Sequence, residues 1–162
     1  MFLQMLIFWE RQILLHLSLP HMMERKSGHI VGISSLASTR GFPLAASYSA
    51  TKAAQRNFLE SLRVDLKPHG ISVTTILPGF FKSKMTEHDE FSLPFLMDLS
   101  DVADKSLRAI AKKKGEFALP RLLKFGLFIL RLLPTPFYDF LVIKEQSIEN
   151  KLKPRKRVPK TF

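Results

Sequence analysis

The 162-residue chain contains no cysteine. That excludes a disulfide scaffold, cysteine-based zinc sites and thiol catalysis. Glycine and proline are few, at 7 and 10 residues, which excludes a collagen-like repeat and a chain disordered throughout. No uninterrupted apolar run approaches the roughly 20 residues needed to cross a bilayer. The apolar opening from Met1 to Trp9 has no basic residue before it and meets Glu10 and Arg11 at once, so it lacks the layout of a signal peptide. His16, His21, His29, His69 and His88 show no metal-ligand spacing, and no metal site is expected. Basic residues are nowhere interleaved with aromatics as on a nucleic-acid platform, so no nucleic-acid partner is expected. There is no internal repeat.

Apolar residues make up 46% of the chain, enough for one domain with a core, and 25 Lys and Arg against 14 Asp and Glu leave a charge of +11. Six of the basic residues fall between Asn150 and Phe162, where there is no acid. A solvated, disordered tail is the expected reading, because such a run cannot bury surface. Contact of that tail with anionic lipid or RNA is the alternative.

The middle of the chain is the most regular. Residues 1–18 read as a helix that opens abruptly. His29 to Ser35 is a short β-branched run after Gly28 and reads as a buried strand ending at Ser35. Ala45 to Leu66 has helical spacing, with Ala50, Ala53, Ala54, Phe58, Leu62 and Leu66 near one side. Pro68-His69-Gly70 stops it. Ile71 to Leu77 is a second strand, ended by Pro78-Gly79. Strand, helix and strand in that order predict a parallel, right-handed βαβ unit. Further on, Ser100 would cap a helix over 101–113, and Gly115 to Pro120 offers a short third strand.

Tyr48 and Lys52 are four apart on the predicted helix and share a face. A tyrosine hydroxyl is a poor acid or base near neutrality. A neighbouring ammonium favours the phenolate and makes it a usable proton donor or acceptor. Ser35 would lie at the carboxyl end of its strand, the edge of a parallel sheet that faces ligands. There its hydroxyl could hold a carbonyl oxygen near Tyr48. The Tyr-x-x-x-Lys spacing alone is weak, since it occurs by chance in many helices.

The full string is more specific. Gly28-His-Ile-Val-Gly-Ile-Ser-Ser35, Tyr48-Ser-Ala-Thr-Lys-Ala-Ala54 and Ile71-Ser-Val-Thr-Thr-Ile-Leu-Pro-Gly79 together resemble the short-chain dehydrogenase/reductase family, over about residues 18–120. The resemblance implies an α/β, partial Rossmann-type parallel sheet with flanking helices and a helical C-terminal extension. It implies an oxidoreductase that interconverts a carbonyl compound and its secondary alcohol with NAD or NADP. Ser35, thirteen positions before Tyr48, matches the catalytic serine. Tyr48 matches the proton donor and acceptor, and Lys52 the residue that lowers the tyrosine pKa and holds the nicotinamide ribose. Pro78, Gly79, Phe81 and Ser83 fall in the loop over the nicotinamide.

The departures matter as much. The family's Gly-x-x-x-Gly-x-Gly phosphate cradle has no match here, nor does its Asn-Asn-Ala-Gly strand end. The family's catalytic Asn would fall near Ile7 or Phe8, whereas the chain's two Asn residues are Asn57 and Asn150. The sequence therefore reads as the catalytic half of such an enzyme, with weak or absent cofactor binding expected of this chain alone. Its first strand should then show an exposed apolar edge, which dimerisation would cover.

Phe and Met residues between 80 and 97 are expected to line an apolar site for a lipid-like, steroid-like or other hydrophobic carbonyl compound. From Arg121 to Leu133 the chain is Leu, Phe, Ile and one Gly with three basic residues, Arg121, Lys124 and Arg131, within about an 80° arc. A basic stripe on so apolar a helix suits a bilayer surface; a helix capping the substrate pocket or buried in a dimer is the other reading. The expected organisation is 1–120 catalytic half, 121–149 helical extension and 150–162 basic tail. The protein is expected to be a cytoplasmic homo-oligomer, peripheral at a membrane if that helix binds one. The alternative function is a non-catalytic remnant that binds a membrane surface or a partner.

Overall fold

The computed structural model describes residues 15, 17–82 and 95–152, with side chains as far as Lys144. Three strands form one parallel sheet in the order β1-β2-β3: β1 (Gly28–Ile33), β2 (Ile71–Pro78) and β3 (Glu116–Leu119). Five helices accompany them: α1 (17–24), α2 (Ala46–Leu66), α3 (Leu99–Ala111), α4 (Arg121–Leu132) and α5 (Thr135–Leu152). The sequence expectation of a helix over 1–18 lies mostly outside the described residues.

β-Branched residues make the strands, and the connections fix their direction. Ile30, Val31 and Ile33 pair with Val73, Thr74 and Ile76 in parallel register, because α2 carries the chain back across the sheet between them. β2 is central and nearly all buried, with Thr74, Ile76 and Leu77 fully enclosed. Leu59, Leu66, Ile71 and Val73 form one core cluster, and Leu19, Met22 and Met23 of α1 pack on it with Ile30 and Leu62. A second cluster of Leu36, Leu77 and Ala118 is covered by Leu123 and Leu127 of α4.

Two glycines permit this packing. A Cβ on Gly32 would run into the Leu59 side chain, so α2 lies close on β1 only because that position is bare. Gly70 has φ 72°, and a Cβ there would strike the Lys26 carbonyl.

Among the described residues β1 pairs on one side only, and Val31 and Ile33 are 41% and 54% exposed. This is the apolar edge anticipated from the sequence. Other details differ. The strand stops at Ile33, and Ser35 caps a single 3-10 turn, Leu36–Ser38. The buried positions of α2 are Ser49, Gln55, Leu59 and Leu66, while Ala50 and Ala54 face solvent. Alanine spacing misled because a methyl fills little of the gap that Leu59 occupies over Gly32. α3 begins at Leu99 with Asp98 at its N-cap, not Ser100. Asp98 does not cap with its side chain but pairs with Lys82 at 2.8 Å.

The chain forms two compact units, 1–127 and 128–162, which divide within α4. In the second, the Pro134 carbonyl accepts the Phe137 and Tyr138 amides as α5 begins. α5 runs on to Leu152, into the segment expected as tail. Among the described residues no helix is long and apolar enough to cross a membrane, and no three His, Asp or Glu side chains gather as a metal site.

Candidate active site

Two serines follow β1, and they do different things. Ser34 is locked: its amide donates to the Ile76 carbonyl at 2.9 Å and its Oγ to the Lys52 carbonyl at 2.7 Å. It thereby ties the end of β1 to the middle of α2. Ser35 is extended (φ −164°, ψ 157°), and its Oγ accepts the Ala37 amide at 3.1 Å while lying 3.4 Å from the Pro78 carbonyl. The first bond is the N-cap of the turn. The second is long for a hydroxyl donor, whose usual limit is about 3.0 Å. The Ser35 proton is therefore weakly held and can turn to another acceptor. The residue itself is buried.

Lys52 projects from the second turn of α2 toward the same strand end. Its Nζ donates to the Ile33 carbonyl and to Gln55 Oε1, both at 3.2 Å. Gln55 is buried, so its amide fixes the ammonium from the helix side. One turn earlier, Tyr48 is 38% exposed, with its ring centroid 5.9 Å from Lys52 Nζ. The structure thus groups Ser35, Lys52 and Pro78 at the carboxyl ends of β1 and β2. Tyr48 joins them through Lys52, its ring still open to solvent.

Pro78 ends β2 and Gly79 turns away from it. The Gly79 amide donates to the Leu119 carbonyl at 2.6 Å. A Cβ on Gly79 would meet Leu119 O and Leu123 Cδ2 at 3.1 Å, tighter than side chains usually allow. Phe81 pairs with Met97 as an isolated bridge, closed by the Lys82 amide to Met97 O at 3.0 Å and the Met97 amide to Phe80 O at 3.1 Å. Phe80, Phe95, Leu96 and Leu99 are all exposed around this bridge. Ser83 lies outside the described residues, as does 84–94 of the expected substrate stretch.

The family model described as short chain dehydrogenase matches residues 13–91. That span holds β1, α2 and β2 with all three of Ser35, Tyr48 and Lys52. The chain belongs to the short-chain dehydrogenase/reductase family. It is 45% identical over 121 residues to an uncharacterized oxidoreductase of Myxococcus xanthus, an alignment covering 75% of this chain and 48% of that one. It is 30% identical over 147 residues to dehydrogenase/reductase SDR family member 7B of Xenopus tropicalis, covering 83% and 47%. Among solved structures, a short-chain dehydrogenase from Sphingobium yanoikuyae in complex with NADPH superposes with a TM-score of 0.56 at 20% identity, over 88% of this chain and 52% of that one. The protein ElxO with NADP bound gives a TM-score of 0.56 at 27% identity, over 65% and 50%. The chain spans about half the length of the relatives it matches.

Lys52 Nζ, the Tyr48 hydroxyl and the Pro78-Gly79 turn are the groups here that could hold the ribose and carboxamide of a nicotinamide nucleotide. Among the described residues no glycine-rich turn precedes a helix N-terminus, the arrangement that holds a pyrophosphate.

Sequence reasoning missed Ser34 and Gln55. A serine beside another serine carries no signal, and Gln55 reads as an ordinary helix residue until its burial is seen. It also misplaced Lys124. That side chain pairs with Glu116 at 2.8 Å, and Arg56 holds the other carboxylate oxygen at 2.8 Å. Lys124 is thus drawn to the sheet rather than left in an outward basic stripe. Burial pushes the Glu116 carboxyl up, but the Lys124 hydrogen bond and the Arg56 charge outweigh it and hold the group below the usual range.

Proposed function

We propose that this chain carries the catalytic side of an NAD(P)-dependent dehydrogenase that interconverts a hydrophobic carbonyl compound and its secondary alcohol. The observation that carries the reading is Lys52. Two acceptors, Ile33 O and Gln55 Oε1, hold its ammonium between the strand that delivers Ser35 and the helix that delivers Tyr48. In the reducing direction Ser35 Oγ hydrogen-bonds the carbonyl oxygen, and Tyr48 gives that oxygen its proton. Lys52 stabilises the phenolate left behind. A nicotinamide, when bound, supplies the hydride and takes it back in the reverse direction. Phe80, Phe81, Phe95 and Leu96 offer apolar surface to a lipid-like or steroid-like substrate. Pro78, Gly79, Phe81 and Ser83 belong to the cofactor side of the site.

The reading includes a cytoplasmic homo-oligomer, favoured by the open apolar edge of β1. The test is consumption of NADH or NADPH by the purified chain with a panel of hydrophobic ketones, each product identified as the alcohol. Reduction that depends on both cofactor and ketone supports the reading. No reduction at millimolar cofactor, across the panel, counts against it.

A second reading, a membrane-surface or partner-binding remnant, is favoured by α4. Leu122, Phe125, Phe128, Ile129 and Leu132 of that helix are all exposed, and at 100° per residue they fall within an arc of about 120°. Leu123 and Leu127, which pack on the core, point the other way. If α4 meets a bilayer, Phe128→Glu with Leu132→Glu abolishes co-sedimentation with anionic vesicles and leaves the fold intact. Failure of the parent chain to co-sediment removes this reading.

A further inference from the structure

A cleft of about 200 Å³ opens between α3, β3 and the start of α4. Five of its lining side chains are cations, Lys105, Arg108, Lys112, Lys114 and Arg121, and Phe117 lines it with them. None is acidic. The sequence builds this from three consecutive pieces. Lys105, Arg108 and Lys112 recur at three- and four-residue spacing and so share one face of α3. Lys114 follows in the turn, its Nζ 5.1 Å from the Phe117 ring centroid. Arg121 opens α4.

Cations at a helix C-terminus have an ordinary explanation in the helix dipole. It covers Arg108, Lys112 and Lys114, but not Lys105 or Arg121. Nearby carboxylates do not neutralise the group. Asp101 reaches Lys105 at 3.5 Å. Among the described residues Arg108, Lys112, Lys114 and Arg121 have no ion-pair partner. The cleft beside the other face of β3 shows the contrast: there Arg56 and Arg63 are matched by Glu60 and Glu116. Like charges around a concave, low-dielectric surface repel one another and concentrate a field that favours anions.

We infer that the α3–β3 cleft is a binding site for a ligand carrying two or more phosphate charges. Its volume is below the roughly 300 Å³ at which organic-ligand pockets begin, so the phosphate groups fill it and the rest of the ligand lies outside. Two arginines and three lysines suit this chemistry, the guanidinium by paired hydrogen bonds and the ammonium as a point charge. The cleft shares no residue with Ser35, Tyr48 or Lys52 and does not depend on the proposed reaction.

The test is calorimetric titration of the full chain with inorganic pyrophosphate at constant ionic strength. Saturable binding at one site per chain is expected, weakening steeply with added salt. The variant Arg108→Gln/Lys112→Gln/Arg121→Gln should bind about tenfold more weakly or worse. Lys67→Gln/Lys82→Gln/Lys144→Gln removes the same charge elsewhere and should bind as the parent does. If the first variant does not fold, Lys112→Gln alone should still weaken binding while Lys67→Gln alone does not. A second arm uses phosphatidylcholine vesicles with and without phosphatidic acid. Capture by the acidic vesicles that pyrophosphate competes away marks a lipid headgroup as the source. Pyrophosphate binding without capture marks a free phosphate compound. The proposal is overturned if neither probe binds, if the two triple variants weaken binding equally, or if sulfate at matched ionic strength binds as well as pyrophosphate.

Discussion

Ser34, Ser35 and Ser49 are all buried, yet each hydroxyl has a different standing. Ser34 Oγ makes a 2.7 Å bond to the Lys52 carbonyl. Removing it in Ser34→Ala should cost about 1 kcal/mol and loosen Lys52. Ser49 Oγ has no hydrogen-bond partner among the described residues, so Ser49→Ala should be neutral or slightly stabilising by thermal melts. A clear loss of stability in Ser49→Ala would mean that its hydroxyl is bonded after all. Gln55 is the residue to test around Lys52. Gln55→Leu leaves the ammonium with one fewer acceptor, and in an active form it should lower kcat and move the pH–rate profile. An unchanged profile would make Gln55 a packing residue only. His29 is held below the ordinary histidine value of 6.5 by burial and then by Lys113, and its Nε2 lies 2.8 Å from Thr74 Oγ1. The unfolded chain then takes up that proton more readily than the fold does. Stability should therefore fall as pH drops below 6.5, and His29→Gln should flatten that part of a melting curve.

The elements were legible where hydrophobic period and breakers agreed. The β-branched runs around Ile30 and Val73 read as strands, though only the second is buried, and Gly70 at φ 72° marked the end of the helix before β2. Cap positions were not legible. Ser100 and Asp98 are equally good capping residues by type, but Asp98 sits at the N-cap and spends its carboxylate on Lys82, a partner that only the tertiary fold supplies. The Arg56–Glu116–Lys124 cluster was invisible for the same reason, since it joins α2, β3 and α4 across 60 residues of sequence between Arg56 and Glu116. It also makes a prediction. Glu116 is held below 4.5 in the fold, so its contribution is present above that pH and is lost as acid protonates it. Glu116→Gln should lower the melting temperature at neutral pH and narrow the gap to the parent below pH 4. At Gly32 the helix–sheet contact leaves no room, and Gly32→Val should destabilise by about 1–3 kcal/mol through overpacking against Leu59.

At the scale of the whole molecule, the candidate site and the part of the fold that carries it were legible because three motifs lie in order along one βαβ unit. The Ser35, Tyr48 and Lys52 positions needed no structure to be proposed; their linkage through Ile33 O and Gln55 did. The cationic cleft was hidden because its charges on α3 meet Lys114 and Arg121 only in the folded chain. With no glycine-rich cradle in the sequence, few phosphate and adenosine contacts are expected. Binding of NADPH by this chain should be millimolar or weaker, about −4 kcal/mol, as read by calorimetry. The most direct test of the account is the rate of cofactor-dependent ketone reduction in Tyr48→Phe against the parent, at the same millimolar NADPH and with circular dichroism unchanged. The account predicts a fall of about 10²- to 10⁴-fold, the range for loss of a general acid. Equal rates in the two proteins would contradict it.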